Sequence, residues 1–230
     1  DLYRQAAQLA RERMADPRKA VELLRKAAAL APGDVAQLKE LTSALVGMND
    51  FDGAIEEVGR ALDTGKLDDA GRGQLLRVRA ELHSANGEDA PAVRDLEEAF
   101  RLIGLEVAGE LVEALQGWAA RSAKDGDLEG ERRAVFRLSE IFELRNEAER
   151  SQELLFRWVE NHPEDIEALR VLRARFERAE RWDEAAQVCA RLLATEQGDA
   201  RVEAALGLAT ACEKLGRPGD AAPALEQTLE

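Results

Sequence analysis

The sequence predicts an all-α protein: about thirteen antiparallel helices, paired as hairpins and stacked into a solenoid, with one irregularity near residues 103–127. Three observations carry this expectation. Ala, Leu, Glu and Arg dominate the composition and only 4% of residues are aromatic, so most of the chain consists of strong helix formers. A small apolar residue followed by larger ones returns at Ala20, Ala54, Ala92, Ser151, Ala185 and Ala221, in steps of 34, 38, 59, 34 and 36 residues. Turn signals sit just before these sets, in "GMNDFD", "ANGEDA", "AERWDE" and "LGRPGD".

Along the chain, each hairpin shows two patterns. The second helix of the first hairpin lies in "DPRKAVELLRKAAALAPGD", with Ala20, Leu24, Ala27 and Pro32 as its markers. The next first helix reads Leu38-x-x-Leu41-Thr42-x-x-Leu45, and its partner carries Ala54, Val58, Ala61 and Lys66. A third second helix carries Ala92, Leu96 and Ala99. Later first helices read Val135-x-x-Leu138-Ser139-x-x-Phe142, Leu169-x-x-Leu172-Arg173-x-x-Phe176 and Ala205-x-x-Leu208-Ala209-x-x-Cys212. Their partners carry Ser151, Leu155, Trp158 and Pro163, then Ala185, Cys189 and Leu192, then Ala221, Leu225 and Thr228. Spacings of three and four put each set on one helix face. The small residue lets two backbones approach at the crossing, and the larger ones fill the space beside it.

The step of 59 between Ala92 and Ser151 is too long for one hairpin and too short for two. A helix over about residues 107–123, a turn at "KDGD" and a helix over about residues 128–142 account for it, the second serving as the first helix of the next hairpin. The helix over 107–123 is then an unpaired extra. Pairing the two as an ordinary hairpin would put Glu131 at the small crossing position, where a buried charge is costly. The expected organisation is 1–102, a 103–127 helix and turn, and 128–230, in one continuous solenoid.

In these residues the chain resembles the tetratricopeptide repeat (TPR) family, whose pattern is W-x2-LG-x2-Y…A-x3-F…A…P. The match is best in the second helices, at Ala20-x3-Leu24-x2-Ala27 with Pro32 and at Ala185-x3-Cys189. The Trp and Gly of the first helix are replaced, by Leu38 and Thr42 for example. About six degenerate copies cover nearly the whole chain. The resemblance implies a right-handed superhelix whose first helices line a concave, partner-binding groove. It puts Arg77 and Glu81 on that groove, then Arg133, Phe136 and Glu140, then Arg170, Ala174 and Glu177, then Glu203, Leu206 and Thr210. Phe136 would be an apolar anchor or would pack on the extra helix. The carboxylate-gripping clamp of chaperone-adaptor members is missing, since Gln5 and Leu9 stand at its first positions.

Charge and chemistry exclude several classes. The net charge is −14; only residues 1–34 are net positive, at +2, so nucleic acid is not an expected partner, and pentatricopeptide-type RNA binding is set aside with it. No apolar run is long enough to insert in a membrane. Cys189 and Cys212 are expected as buried thiols near each other. His83 and His162 have no metal-ligand spacing around them, and no phosphate-loop, dinucleotide or serine-nucleophile motif occurs. The pairs Glu56-Glu57, Glu97-Glu98 and Asp68-Asp69 diverge by about 100° on a helix and are expected on solvated faces.

No catalytic residue, metal or cofactor is therefore expected. The leading function is a non-catalytic scaffold binding a protein or peptide; the alternative is a spacer or oligomerisation arm, self-associating through an uncapped last helix over about 219–229. The chain opens "DLYRQAAQ" without Met and is read as a piece of a longer protein. A cytoplasmic location in a bacterium with a GC-rich genome is the expected setting.

Overall fold

A computed structural model describes residues 2–31, 33–64 and 67–228, with Ala224, Gln227 and Thr228 as backbone only. Pro32, Lys66, Leu229 and the Thr228 side chain, used above as repeat or terminal markers, lie outside the described residues.

Among the described residues there are thirteen α-helices and no strand. In order they are α1 (Leu2–Glu12), α2 (Pro17–Leu30), α3 (Val35–Val46), α4 (Phe51–Asp63), α5 (Asp69–Ala85), α6 (Asp89–Ile103), α7 (Ala108–Asp125), α8 (Leu128–Leu144), α9 (Ala148–Asn161), α10 (Ile166–Arg178), α11 (Trp182–Thr195), α12 (Gly198–Lys214) and α13 (Ala222–Thr228). Short 3-10 turns occupy Gly104–Val107 and Pro218–Ala221. The helices form two compact units, Asp1–Glu131 and Arg132–Glu230, and the division falls inside α8. Within each unit, consecutive helices pack on one another.

One backbone device makes the hairpins. Ala15, Asn49, Gly87, Gly126, Asn146, Glu180 and Gly216 all have left-handed φ, between 50° and 80°. In six of these turns the next residue donates its N–H to the carbonyl five residues back: Asp50 to Leu45, Glu88 to His83, Asp127 to Ser122, Glu147 to Phe142, Arg181 to Phe176 and Arg217 to Cys212, at 2.8–3.0 Å. This closes the first helix in a Schellman-type turn; the second helix starts two residues after the left-handed one in five of the six, and after Gly216 the 3-10 turn Pro218–Ala221 comes first. Aspartates then cap helix starts: Asp16, Asp34, Asp50, Asp68 and Asp165 each accept a backbone N–H of the first turn.

The same turns explain the step of 59. The left-handed residues follow one another by 34, 38, 39, 20, 34 and 36. Gly126 and Asn146 therefore bracket α8 on both sides with the turn that elsewhere only leads from a first to a second helix. Helix α8 is entered as a second helix, with the Asp127 side chain accepting the Gly130 N–H at 3.0 Å. Yet it carries the first-helix core set, Val135, Leu138, Ser139 and Phe142, all buried. Glu131, at its crossing position, is only half-buried, and Ala134 takes the fully buried place. Helix α7 occupies the stretch expected over 107–123 and packs on α6 in the first unit.

The crossing residues behave as expected: Ala20, Ala54, Ala92, Ser151, Ala185 and Ala221 are all at most 2% exposed. Leu208 and Ala209 of the last first helix are only half-buried. Two glycines mark the tightest approaches. A Cβ at Gly73 would lie 2.9 Å from Ile103 Cγ2, and one at Gly207 would lie 3.0 Å from Cys189 Sγ and 3.6 Å from Arg173 Nη1. Gly207 thus makes room on α12 for the Cys189 sulfur of α11.

The expectation of solvated carboxylate pairs fails at Glu57. Its side chain is 8% exposed and accepts from Arg25 Nε at 2.6 Å and Arg60 Nη1 at 2.8 Å. Asp68 caps α5, and Glu98 pairs with Arg72 at 2.8 Å. The cause is a second periodicity carried by arginines. Arg25–Glu57, Arg77–Glu110, Arg132–Asp165 and Asp183–Arg217 join residues 32 to 34 apart, at 2.6–2.8 Å. Each ties one hairpin to the next.

Candidate functional site

In the first unit, the first helices α1, α3 and α5, together with α7, line a trough. It consists of three adjoining depressions. The one between α1 and α3 measures 590 Å³ and carries Arg4, Gln5, Gln8, Arg11, Lys39 and Glu40 over a floor of Ala7, Ala20 and Leu24. The middle one, 280 Å³, lies between α3 and α5 and shares Lys39 and Ser43 with the first; Val46, Val78 and Leu82 are its apolar side chains, beside Thr42 and Glu81. The third, 510 Å³, lies between α5 and α7 and shares Glu81 with the second; Arg77, Glu110, Glu113 and Arg121 line it.

Helix spacing makes this surface. Lys39 and Ser43 sit four apart on α3, and Arg77 and Glu81 sit four apart on α5, so each pair stands one turn apart on a single face. The buried phase of each helix is used by other residues: Leu38, Leu41 and Leu45 on α3, and Leu75, Leu76, Val78 and Leu82 on α5.

Some trough charges are committed inside the protein. Arg4 pairs with Glu40, its Nε at 2.9 Å from Oε2. Arg77 donates from Nε to Glu110 at 2.8 Å and lies 3.3 Å from Glu106. Hydrogen bonding to Glu110 raises the Arg77 pKa further and keeps the guanidinium charged. Arg121 pairs with Asp89. Arg11, Lys39, Glu81 and Glu113, by contrast, form no ion pair among the described residues.

Of the groove residues expected from sequence, Arg77 and Glu81 come together in this trough. The others lie in the second unit. Arg133 and Glu140 are exposed on α8, and Glu140 pairs with Arg137 at 2.7 Å. Phe136 is half-buried beneath a guanidinium, but that of Arg132, whose Cζ lies 4.4 Å from the ring centroid. Arg170 is exposed and pairs with the buried Glu196 at 2.6 Å; it does not pair with Glu177, which lies 3.6 Å from Arg173. Ala174 is exposed on α10, as are Glu203, Leu206 and Thr210 on α12, and Glu203 pairs with Arg173 at 2.6 Å.

The sequence reading missed Arg11, Lys39, Ser43 and Glu113. A signal existed for two of them. Lys39 and Ser43 follow Gln5 and Leu9 by 34 residues and precede Arg77 and Glu81 by 38, the steps of the alanine markers.

The remaining chemistry-bearing groups are held in place. His83 Nδ1 lies 2.6 Å from Glu88 Oε2, and its Nε2 is 3.8 Å from Asp95 Oδ2. His162 stacks on Trp158 at 3.8 Å. Cys189 and Cys212 are both buried free thiols, and burial pushes the Cys189 thiol up to about 12. Among the described residues no group of three or more His, Cys, Asp or Glu could hold a metal ion. Among them, too, no helix is long and apolar enough to cross a membrane.

No family model matches the sequence, and no curated protein does. Solved structures with similar architecture include the TPR2AB domain of yeast Sti1 in a complex with pHSP90, at 16% identity and a TM-score of 0.44, covering 99% of this chain and 88% of that one. A tetratricopeptide repeat protein from Parabacteroides merdae gives 14% identity and 0.38, with 99% and 98% covered. BtubC from P. vanneervenii gives 17% and 0.38, with 95% and 89% covered. These scores are low, and the fold assignment rests on the chain's own repeating helices and turns. In fold, the described residues form consecutive antiparallel helical hairpins joined by left-handed turns.

Proposed function

We propose that this protein is a non-catalytic interaction scaffold that binds a protein partner, as an extended segment or a domain edge, along the trough of the first unit. The observation that carries the reading is the continuity of that trough. Its depressions share Lys39, Ser43 and Glu81, and its exposed side chains take no part in the core. Hairpin arrays stack through their second helices and through helix crossings, which leaves the outer phase of each first helix for a ligand. The face of the second unit with Arg133, Phe136, Glu140, Arg170 and Glu177 is a further contact surface in this proposal. The net charge of −14 disfavours polyanionic partners. The cytoplasmic and bacterial setting belongs to the proposal as well, supported by composition and by two thiols that need no oxidising compartment.

The test is recovery of partners from the native source with the wild type, with Ser43→Arg in the trough and with Glu56→Arg on α4. Loss of a partner with Ser43→Arg alone supports the trough. Partners that survive both changes favour the spacer reading.

A further inference from the structure

We propose that the trough reads charge along its length and takes a partner segment that is acidic at one end, apolar in the middle and basic at the other. This rests on the trough being the binding site and specifies its ligand. Most of the arginines along it are spent on internal carboxylates: Arg4 on Glu40, Arg77 on Glu110 and Arg121 on Asp89. The four charges left without an ion pair among the described residues are sorted by sign. Arg11 and Lys39 stand at the α1–α3 end. Glu81 and Glu113 stand at the α5–α7 end. Between them lies the middle depression, where half-buried Val46 adjoins the buried side chains of Val78 and Leu82.

Among these four charges the middle depression carries one of each sign, Lys39 and Glu81, and each outer depression carries one sign. Their sign changes once along the trough, from Arg11 on α1 and Lys39 on α3 to Glu81 on α5 and Glu113 on α7. A ligand with the complementary order meets an opposite charge at both ends and buries apolar side chains between them. A ligand lying the other way round meets like charges at both ends. Neighbouring helices pack about 8–10 Å apart, so α1 to α7 spans about 30 Å, the length of about nine extended residues.

The experiment uses the full chain and fluorescence anisotropy at low ionic strength, with two labelled peptides of about ten residues and identical composition. One has four glutamates, two valines and four lysines in blocks; the other alternates glutamate and lysine around the same valines. The block peptide is expected to bind about tenfold more tightly than the alternating one. Arg11→Glu with Lys39→Glu removes that preference, and so does Glu81→Lys with Glu113→Lys. All four changes together invert the trough and restore tight binding of the block peptide in the opposite direction. All four side chains are exposed, so circular dichroism should show the variants folded. Equal affinity for the two peptides, or no affinity for either, overturns the charge reading. The trough as a binding site then still stands or falls separately, on whether Ser43→Arg loses the native partner.

Discussion

Glu57 offers the sharpest test of how the hairpins are held together. Its carboxylate is 8% exposed, yet both its partners reach water, Arg25 at 47% and Arg60 at 55%. Removing the side chain as Glu57→Ala deletes two charge-assisted hydrogen bonds, one of which crosses from α2 to α4. Each is worth about 1.5–3 kcal/mol in an ideal setting, but burying the carboxylate costs part of that. The arginines left behind rehydrate and leave no orphaned charge, and Ala favours the helix by a few tenths of a kcal/mol. The net loss should be about 1–2 kcal/mol. The control is its neighbour Glu56, 66% exposed and paired only with Arg60, at 2.9 Å. Glu56→Ala should cost about 0.5 kcal/mol or less. Urea unfolding followed by circular dichroism reads both variants at constant slope. A loss at Glu57 no larger than that at Glu56 would refute the idea that inter-hairpin pairs hold the stack.

Four further outcomes are expected. Ala54→Leu and Ala185→Leu should each lower stability by about 1–3 kcal/mol in urea unfolding, because both alanines are fully buried at helix crossings. Glu180→Gly should raise the urea midpoint, since Glu180 holds φ at 55° and relief of about 1–2 kcal/mol of left-handed strain outweighs the entropy glycine adds to the unfolded chain. Cys189 should resist thiol reagents at pH 8 until the protein unfolds, because the thiolate is the reactive form and burial pushes its thiol up to about 12. Burial works against the Asp165 carboxylate, but hydrogen bonds from Arg132, Trp158 and the Ala168 N–H outweigh it and hold its pKa below the ordinary value. That stabilisation is present above the unfolded pKa of about 3.9 and is lost as pH falls through the folded value. Asp165→Asn should therefore be less stable than the wild type at neutral pH, with the gap closing below about pH 4.

The fold was legible because its markers are local. Ala54, Val58 and Ala61 declare a helix face by spacing alone, and "GMNDFD" announces the turn that Asn49 completes. The step of 59 was visible as an anomaly, but its cause was not. That Gly126 makes the same left-handed turn as Asn146 is a backbone fact, and "KDGD" reads equally well as any loop. Glu57 was misread because adjacent glutamates look alike until a partner 32 residues away, Arg25, selects one of them. The trough was half legible. Arg77 and Glu81 came from the repeat phase, while Lys39 and Ser43 stood one step earlier at the same phase. Which charges remain uncommitted, as Arg11 and Glu113 do, depends on pairs such as Arg4–Glu40 that form only in the folded chain.

The claim that the first helices form the binding face is tested most directly by mapping where a ligand touches. With isotopically labelled protein, titration of the block peptide should shift amide resonances of Lys39, Ser43, Val46, Glu81 and Ala114, on α3, α5 and α7. Resonances of α4, such as Glu56 and Arg60, should stay in place. Shifts confined to α4 and α6, with Ser43 and Glu81 unmoved, would contradict it.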